Sequence, residues 1–134
     1  MEQEIAERKR VETALRESET RYRTLFEQAN DAILLENENE EIVGANRRAC
    51  QLFGYTHEEL LSLKTSDLEA EEIRPRPPRK IYSTPDVAQS TTFETLALRR
   101  DGIQIPIEVT FAPLVEREHK LFLSVIRDIS ERKQ

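Results

Sequence analysis

Five apolar residues on alternate positions, Ile103, Ile105, Ile107, Val109 and Phe111, follow directly on Asp101-Gly102. A period of two is the pattern of a strand with one face buried. Asp-Gly before such a run signals a hairpin, because both residue types tolerate the positive φ of a tight connection. Leu96 and Leu98 alternate with Thr95 and Ala97 on the other side of the turn. Past Glu116-Arg117-Glu118, the run Leu121 to Ile126 is apolar on both faces, as a central strand should be. Residues 91–130 therefore predict a three-stranded antiparallel meander that the rest of the chain must cover. Pro106 conflicts with a central strand, since it removes a ladder donor, and a bulge near the hairpin is the expected accommodation.

The chain ahead of the meander supplies the cover. Residues 2 to about 28 lack Gly and Pro and are rich in Glu, Arg, Ala and Leu, which predicts a long helix. Val11, Leu15, Ser18, Tyr22 and Leu25 step by four and three along it, a heptad seam over about two repeats. Two readings of that seam stand open. It pairs with a partner helix, or the helix is solvated and packs only Tyr22, Leu25 and Phe26 on its own domain. Ala32–Leu35 and Ile42–Ala45 read as a hairpin pair of strands. Asn46 then caps a helix striped by Ala49, Leu52 and Phe53 and closed by Gly54. Thr56-His57-Glu58-Glu59 has capping-box spacing, and Thr65–Leu68 begins another short turn. The four prolines between Pro75 and Pro85 break any longer helix, so residues 70–90 read as an irregular connector with one helical turn near Lys80–Ser83.

At 134 residues, this is one domain with an appendage. A formal net charge of −6 argues against a nucleic-acid binder, which would show a basic face. The lone Cys50 excludes an internal disulfide and fits a reducing, cytoplasmic compartment. No apolar run approaches the roughly 20 residues of a membrane helix, so no direct insertion is expected, and anchoring elsewhere in a parent protein stays open. Glu4–Arg10 is echoed by Asp128–Gln134, which suggests one unit of a serial array with the same linker leading in and out.

In their order and spacing, Ser18–Glu27, Ala45–Tyr55, Glu58–Leu61, Arg99–Gly102, Pro106–Val109 and Arg127–Lys133 resemble the PAS sensor domain, of the S-box and PAC kind. The resemblance covers essentially residues 18–134. It implies an α+β fold, a five-stranded antiparallel sheet in strand order 2-1-5-4-3 with short helices on one face and a long N-terminal helix. Residues 1–24 would be the linker helix, 25–130 the sensory domain and 131–134 the start of an outgoing helix. Two departures, Ser62 where many members have Gly and the proline-rich 73–85 segment, bear on the shape of the ligand cavity.

Catalysis finds little support. His57 and His119 lie far apart in the sequence, with no ligand spacing around them, so no metal site is expected. Haem-binding relatives use a His on the pocket-covering helix, and residues 70–90 contain none. Flavin-binding light sensors place their reactive Cys in Gly-x-Asn-Cys-Arg-Phe-Leu-Gln. Gly44-Ala-Asn-Arg-Arg-Ala-Cys-Gln51 displaces it, so Cys50 reads as a small buried hydrophobe and neither cofactor is expected. A cavity between sheet and helices, for an unidentified small molecule, would be lined by Leu35, Cys50, Phe53, Leu68, Ile73, Leu96 and Ile107. The same residues suit a filled core. The resemblance further implies that Asp128-Ile129-Ser130 couples the last strand to the outgoing helix, with Ser130 as its cap. Val11, Leu15, Tyr22 and Leu25 would form the helix of a homodimer, next to neighbouring signalling domains in the parent chain. The expected role is a non-catalytic sensor and dimerisation module of a sensor histidine kinase or diguanylate cyclase. The alternative is a structural spacer in a tandem array.

Overall fold

The structure, a computed structural model, describes residues 2–72, 91–115 and 120–133. The irregular connector with its helical turn near Lys80, the candidate Ile73, the charged turn at 116–118 and His119 lie outside the described residues. Helix α1 spans Glu2–Gln28, as the run of strong helix formers requires. Its end is tied to the domain by hydrogen bonds at Phe26 and Glu27, and Val11, Leu15, Tyr22 and Leu25 stand 58–70% exposed along it.

Strands β1 (Ala32–Asn37) and β2 (Ile42–Ala45) form the first hairpin. Helix α2 (Arg47–Phe53) follows, capped by Asn46 and closed at Gly54, whose φ of 81° is the left-handed turn that favours glycine. Helix α3 (His57–Leu61) opens with the capping box read from the sequence. The Thr56 N–H donates to Glu59 Oε1 at 2.9 Å, and this bond, ahead of Arg100, holds the Glu59 carboxyl below its ordinary value. A 3-10 turn at Thr65–Leu68 completes this layer. Strands β3 (Thr91–Leu98), β4 (Gln104–Val115) and β5 (Lys120–Asp128) make the meander. At its Asp101-Gly102 turn, Asp101 Oδ1 accepts from the Ile103 N–H at 3.0 Å and Gly102 takes φ 88°.

All five strands form one antiparallel sheet in the order β2-β1-β5-β4-β3, so the last strand lies between the first and the fourth. Pairing of Leu34 with Ser124, Ile126 with Val109 and Thr95 with Ile107 fixes which side chains share a face. The inner face carries Leu34, Ile107, Val109, Phe111 and Ile126, all buried. Ala49, Phe53, Leu60 and Leu68 close over it from the helical layer. The outer face carries Leu35, Leu96, Leu121, Leu123 and Val125, each half-buried.

Pro106 needs no bulge. It stands opposite Leu96 in an unbroken β3–β4 register. Its carbonyl accepts from the Ile129 N–H at 3.0 Å, and the Leu96 carbonyl accepts from the Ala70 N–H at 3.0 Å. Both residues thus turn their polar groups away from each other, as the non-hydrogen-bonded pair of an antiparallel ladder does. The missing proline N–H removes no β3–β4 bond, which corrects the expectation of a bulge. Pro106→Val is expected to change stability by less than about 1 kcal/mol in urea denaturation, because no β3–β4 bond is gained or lost. A loss above about 2 kcal/mol would show that the proline is structurally required.

Candidate functional site

A cavity of about 50 Å³ lies between the inner face of the sheet and the helical layer. Three of the expected residues, Phe53, Leu68 and Ile107, line it. Leu34, Phe93, Val109, Phe111 and Ile126 complete its apolar wall, while Thr65, Glu69, Thr95 and Ser124 give it a polar side. Thr95 Oγ1 donates to Glu69 Oε2 at 2.8 Å, tying β3 to the end of the 3-10 turn. A space this size accommodates a few water-sized groups, against the roughly 300–1,000 Å³ of pockets for drug-sized ligands.

Leu35 and Leu96 do not line the cavity, which corrects the sequence expectation. Leu35 faces outward with Leu123 and Gly44 across the register, and Leu96 faces outward on β3. The reason sits one residue along. Glu36 shares its face with Leu34 and is fully buried, its Oε1 accepting a hydrogen bond from Ser124 Oγ. A glutamate ordinarily marks the solvent face of a strand, so the residue before it reads as inward. Here the inward glutamate reverses that parity. Cys50 is half-buried on α2, packed against the core beside Ala49 and Phe53 but outside the cavity wall. Burial, and then the charge of Glu27, push its thiol up, which favours the unreactive protonated form. Val109 and Phe111 were findable, since they continue the alternation of Ile107. Ser124 was not, because it interrupts an apolar run.

At one end of the sheet, the incoming and outgoing segments are tied to the domain by polar groups. Asn46 is fully buried. Its Oδ1 accepts from the N–H groups of Ile33 at 2.9 Å and Ala49 at 3.0 Å. Its Nδ2 donates to the carbonyls of Phe26 at 2.9 Å and Asp31 at 3.1 Å. One side chain thereby joins α1, β1 and α2. Nearby, Arg127 pairs with Asp31 at 3.3 Å, and the pair raises the Arg127 pKa.

The chain leaves β5 through Asp128-Ile129-Ser130. Ile129 is only 2% exposed and anchors this turn. Asp128 Oδ1 accepts from the Ser130 N–H at 2.9 Å and from its hydroxyl at 2.5 Å. The cap is therefore Asp128, and Ser130 is the first residue of the 3-10 turn Ser130–Lys133, which corrects the expected assignment. Arg132 then pairs with Glu108 at 3.1 Å. His57 is exposed on α3, and no cluster of His, Cys, Asp and Glu suited to a metal occurs among the described residues. No described helix is long and apolar enough to cross a membrane.

With that geometry, known proteins give a consistent answer. The family model of the PAS domain matches residues 30–131, and the chain belongs to that family. It is 34% identical over 126 residues to the methyl sulfide methyltransferase-associated sensor of Methanosarcina acetivorans, covering 90% of this chain and 12% of that protein. It is 27% identical over 133 residues to sporulation kinase E of Bacillus subtilis, covering 98% of this chain and 17% of the kinase. The chain thus spans less than a fifth of either relative. The crystal structure of the PAS domain of an HTR-like protein from Haloarcula marismortui superposes with a TM-score of 0.80 at 29% identity, covering 90% of this chain and 99% of that one. The chain is a PAS sensory domain related to those of sensor kinases.

Replacing Asn46 tests the polar tie. Asn46→Ala leaves four backbone groups, one buried and three half-buried, without this partner and is expected to cost about 3 kcal/mol in urea denaturation. Asn46→Asp keeps an acceptor but turns an oxygen toward two carbonyls, which holds its carboxyl above the ordinary value of about 3.9. A raised folded-state pKa gives stability that is lost as pH rises, so the deficit of Asn46→Asp relative to the native chain should widen from about pH 4 to about pH 7. A deficit that stays constant or narrows would contradict this role for the Nδ2 donors.

Proposed function

We propose that this domain is a non-catalytic sensor and dimerisation module of a multidomain signalling protein, of the sensor histidine kinase or diguanylate cyclase type. A ligand or partner acting on the inner face would shift the sheet and change the pitch or rotation of the flanking helices. One observation carries this reading. Ser124 and Ile126 line the cavity on β5, and that strand ends at Asp128, directly ahead of Ile129 and the turn that starts at Ser130. What displaces the cavity wall therefore acts on the exit turn within a few residues. The names of the relatives, a sensor and a kinase, support the type of parent protein.

In this reading residues 1–24 are the linker helix, 25–130 the sensory body and 131–134 the start of the outgoing segment. Two copies associate through Val11, Leu15, Tyr22 and Leu25, whose exposure on α1 supports such a partner helix. Neighbouring domains of the parent are the other partners, in the cytoplasm, with neither nucleic acid nor direct membrane contact. The bound group is a small molecule other than haem or flavin. A spacer within a tandem array is the second reading, and the small size of the cavity favours it.

Filling the cavity separates the two. Val109→Phe is expected to move the backbone amide NMR signals of Ile129–Arg132 as well as those of the cavity wall. Changes confined to the wall would leave the spacer reading standing. For the dimer, Val11→Glu with Leu15→Glu in the whole chain should weaken self-association at least about tenfold in sedimentation, through loss of two apolar contacts. Unchanged association would remove α1 from the interface.

A further inference from the structure

A second hollow opens at the end of the sheet where α1 hands over to β1 and β5 leaves the domain. Its volume is about 270 Å³, and among the described residues it shares only Ile126 with the inner cavity. Buried Ala32 and Ile126 form an apolar floor with half-buried Leu52. Three arginines stand around it, Arg48 on α2, Arg99 just past β3 and Arg127 on β5, in a chain whose net charge is −6.

The carboxylates at this hollow are already engaged. Asp31 is paired with Arg127 at 3.3 Å, and Asp128 is used by the backbone and hydroxyl of Ser130. Among the described residues, two of the arginines lack a matching anion at hydrogen-bond distance. Arg48 Nη1 donates to the neutral Gln51 Oε1, at 3.3 Å. Arg99 Nε is shielded from solvent and has no hydrogen-bond acceptor among the described residues, its ion-pair contact with Asp101 Oδ2 being 3.6 Å. A buried N–H donor ordinarily has an acceptor, and a guanidinium presents planar donors that match the oxygens of a carboxylate or phosphate.

We propose that this hollow is a second binding site, which takes a small carboxylate- or phosphate-bearing molecule between Arg48 and Arg99. Its apolar floor accepts a short carbon body, and its volume suits a metabolite of a few heavy atoms. A bound oxyanion joins α2 to the end of β3. It also competes with Asp31 for Arg127, and so acts on the ion pair between the entry to β1 and the exit of β5. This site is independent of the inner cavity and of the relay proposed for it.

The test is a titration of the whole chain, followed by ¹⁵N NMR, with inorganic phosphate and separately with succinate, ionic strength being held constant with sodium chloride. Either anion, or both, should give saturable shifts of the Arg99 Nε–H and of the Arg48, Gln51 and Arg127 backbone amides. The anion that saturates identifies the oxyanion class. Arg48→Gln, at an exposed position that leaves the fold intact, should weaken binding at least about tenfold, the effect of losing one charge-assisted hydrogen bond. Arg99→Lys, which keeps the charge but not the fork, should weaken it as well. Shifts that stay linear with both anions, that centre elsewhere, or that are equal in Arg48→Gln would overturn the proposal.

Discussion

The carboxamide of Asn46 carries the constraint on which the arrangement of this domain depends. Two backbone N–H groups and two carbonyls, from the end of α1, the start of β1 and the first turn of α2, converge on one fully buried side chain. An amide offers both acceptor and donor functions, and here each is used. Aspartate could serve the N–H groups and leave the carbonyls facing a charge, while serine could not span the three segments. Since α1 is exposed over most of its length, this junction and the neighbouring Glu27 Oε2 contact with the Arg47 N–H, at 3.1 Å, set where the helix enters. Packing alone would leave that entry free to swivel.

The order of elements was legible because local chemistry and global fold agree. Asn46 and Gly54 bracket α2, Thr56 and Glu59 open α3, and Asp101-Gly102 turns the meander where expected. The cavity was legible only in part, and the misses have one cause. A strand with apolar residues on both faces carries no parity of its own, so the nearest polar residue decides the reading. Glu36 and Thr95 are that residue on β1 and β3, and both face inward. Their partners, Ser124 and Glu69, are distant in sequence and supply what makes an inward polar group tolerable. The exit turn was misread for a local reason. Asp128 and Ser130 are both good caps, and only the burial of Ile129 between them decides that the helical turn starts at Ser130 and is capped from Asp128.

The central position of β5 has energetic weight beyond topology. It is paired along its length with β1 on one side and β4 on the other, so no displacement of it can occur without a response from both. Its inner side chains Ser124 and Ile126 meet the cavity, and its outer ones, Leu121, Leu123 and Val125, are half-buried on the outer apolar face. Close-packed interiors pass strain on rather than absorb it. An edge strand, such as β2 or β3, would yield at its free side instead.

Where such strain would be released follows from the kinds of contact at the two ends. Apolar packing is non-directional and weakens gradually as surfaces separate. Hydrogen bonds fail within a fraction of an ångström to an ångström and with modest misalignment. The incoming helix is tied through Asn46, and the outgoing turn through Asp128 and the bond from the Ile129 N–H to the Pro106 carbonyl. Pro106 matters here for the reason that made it look misplaced. Its carbonyl points away from β3 and is free to hold the chain just beyond the last ladder pair, Ile107 with Asp128. On the proposed relay, the apolar body of the sheet would move as one piece, and the response would appear at these polar joints. Both lie at the same end of the sheet, joined by the Arg127–Asp31 pair, so entry and exit respond together.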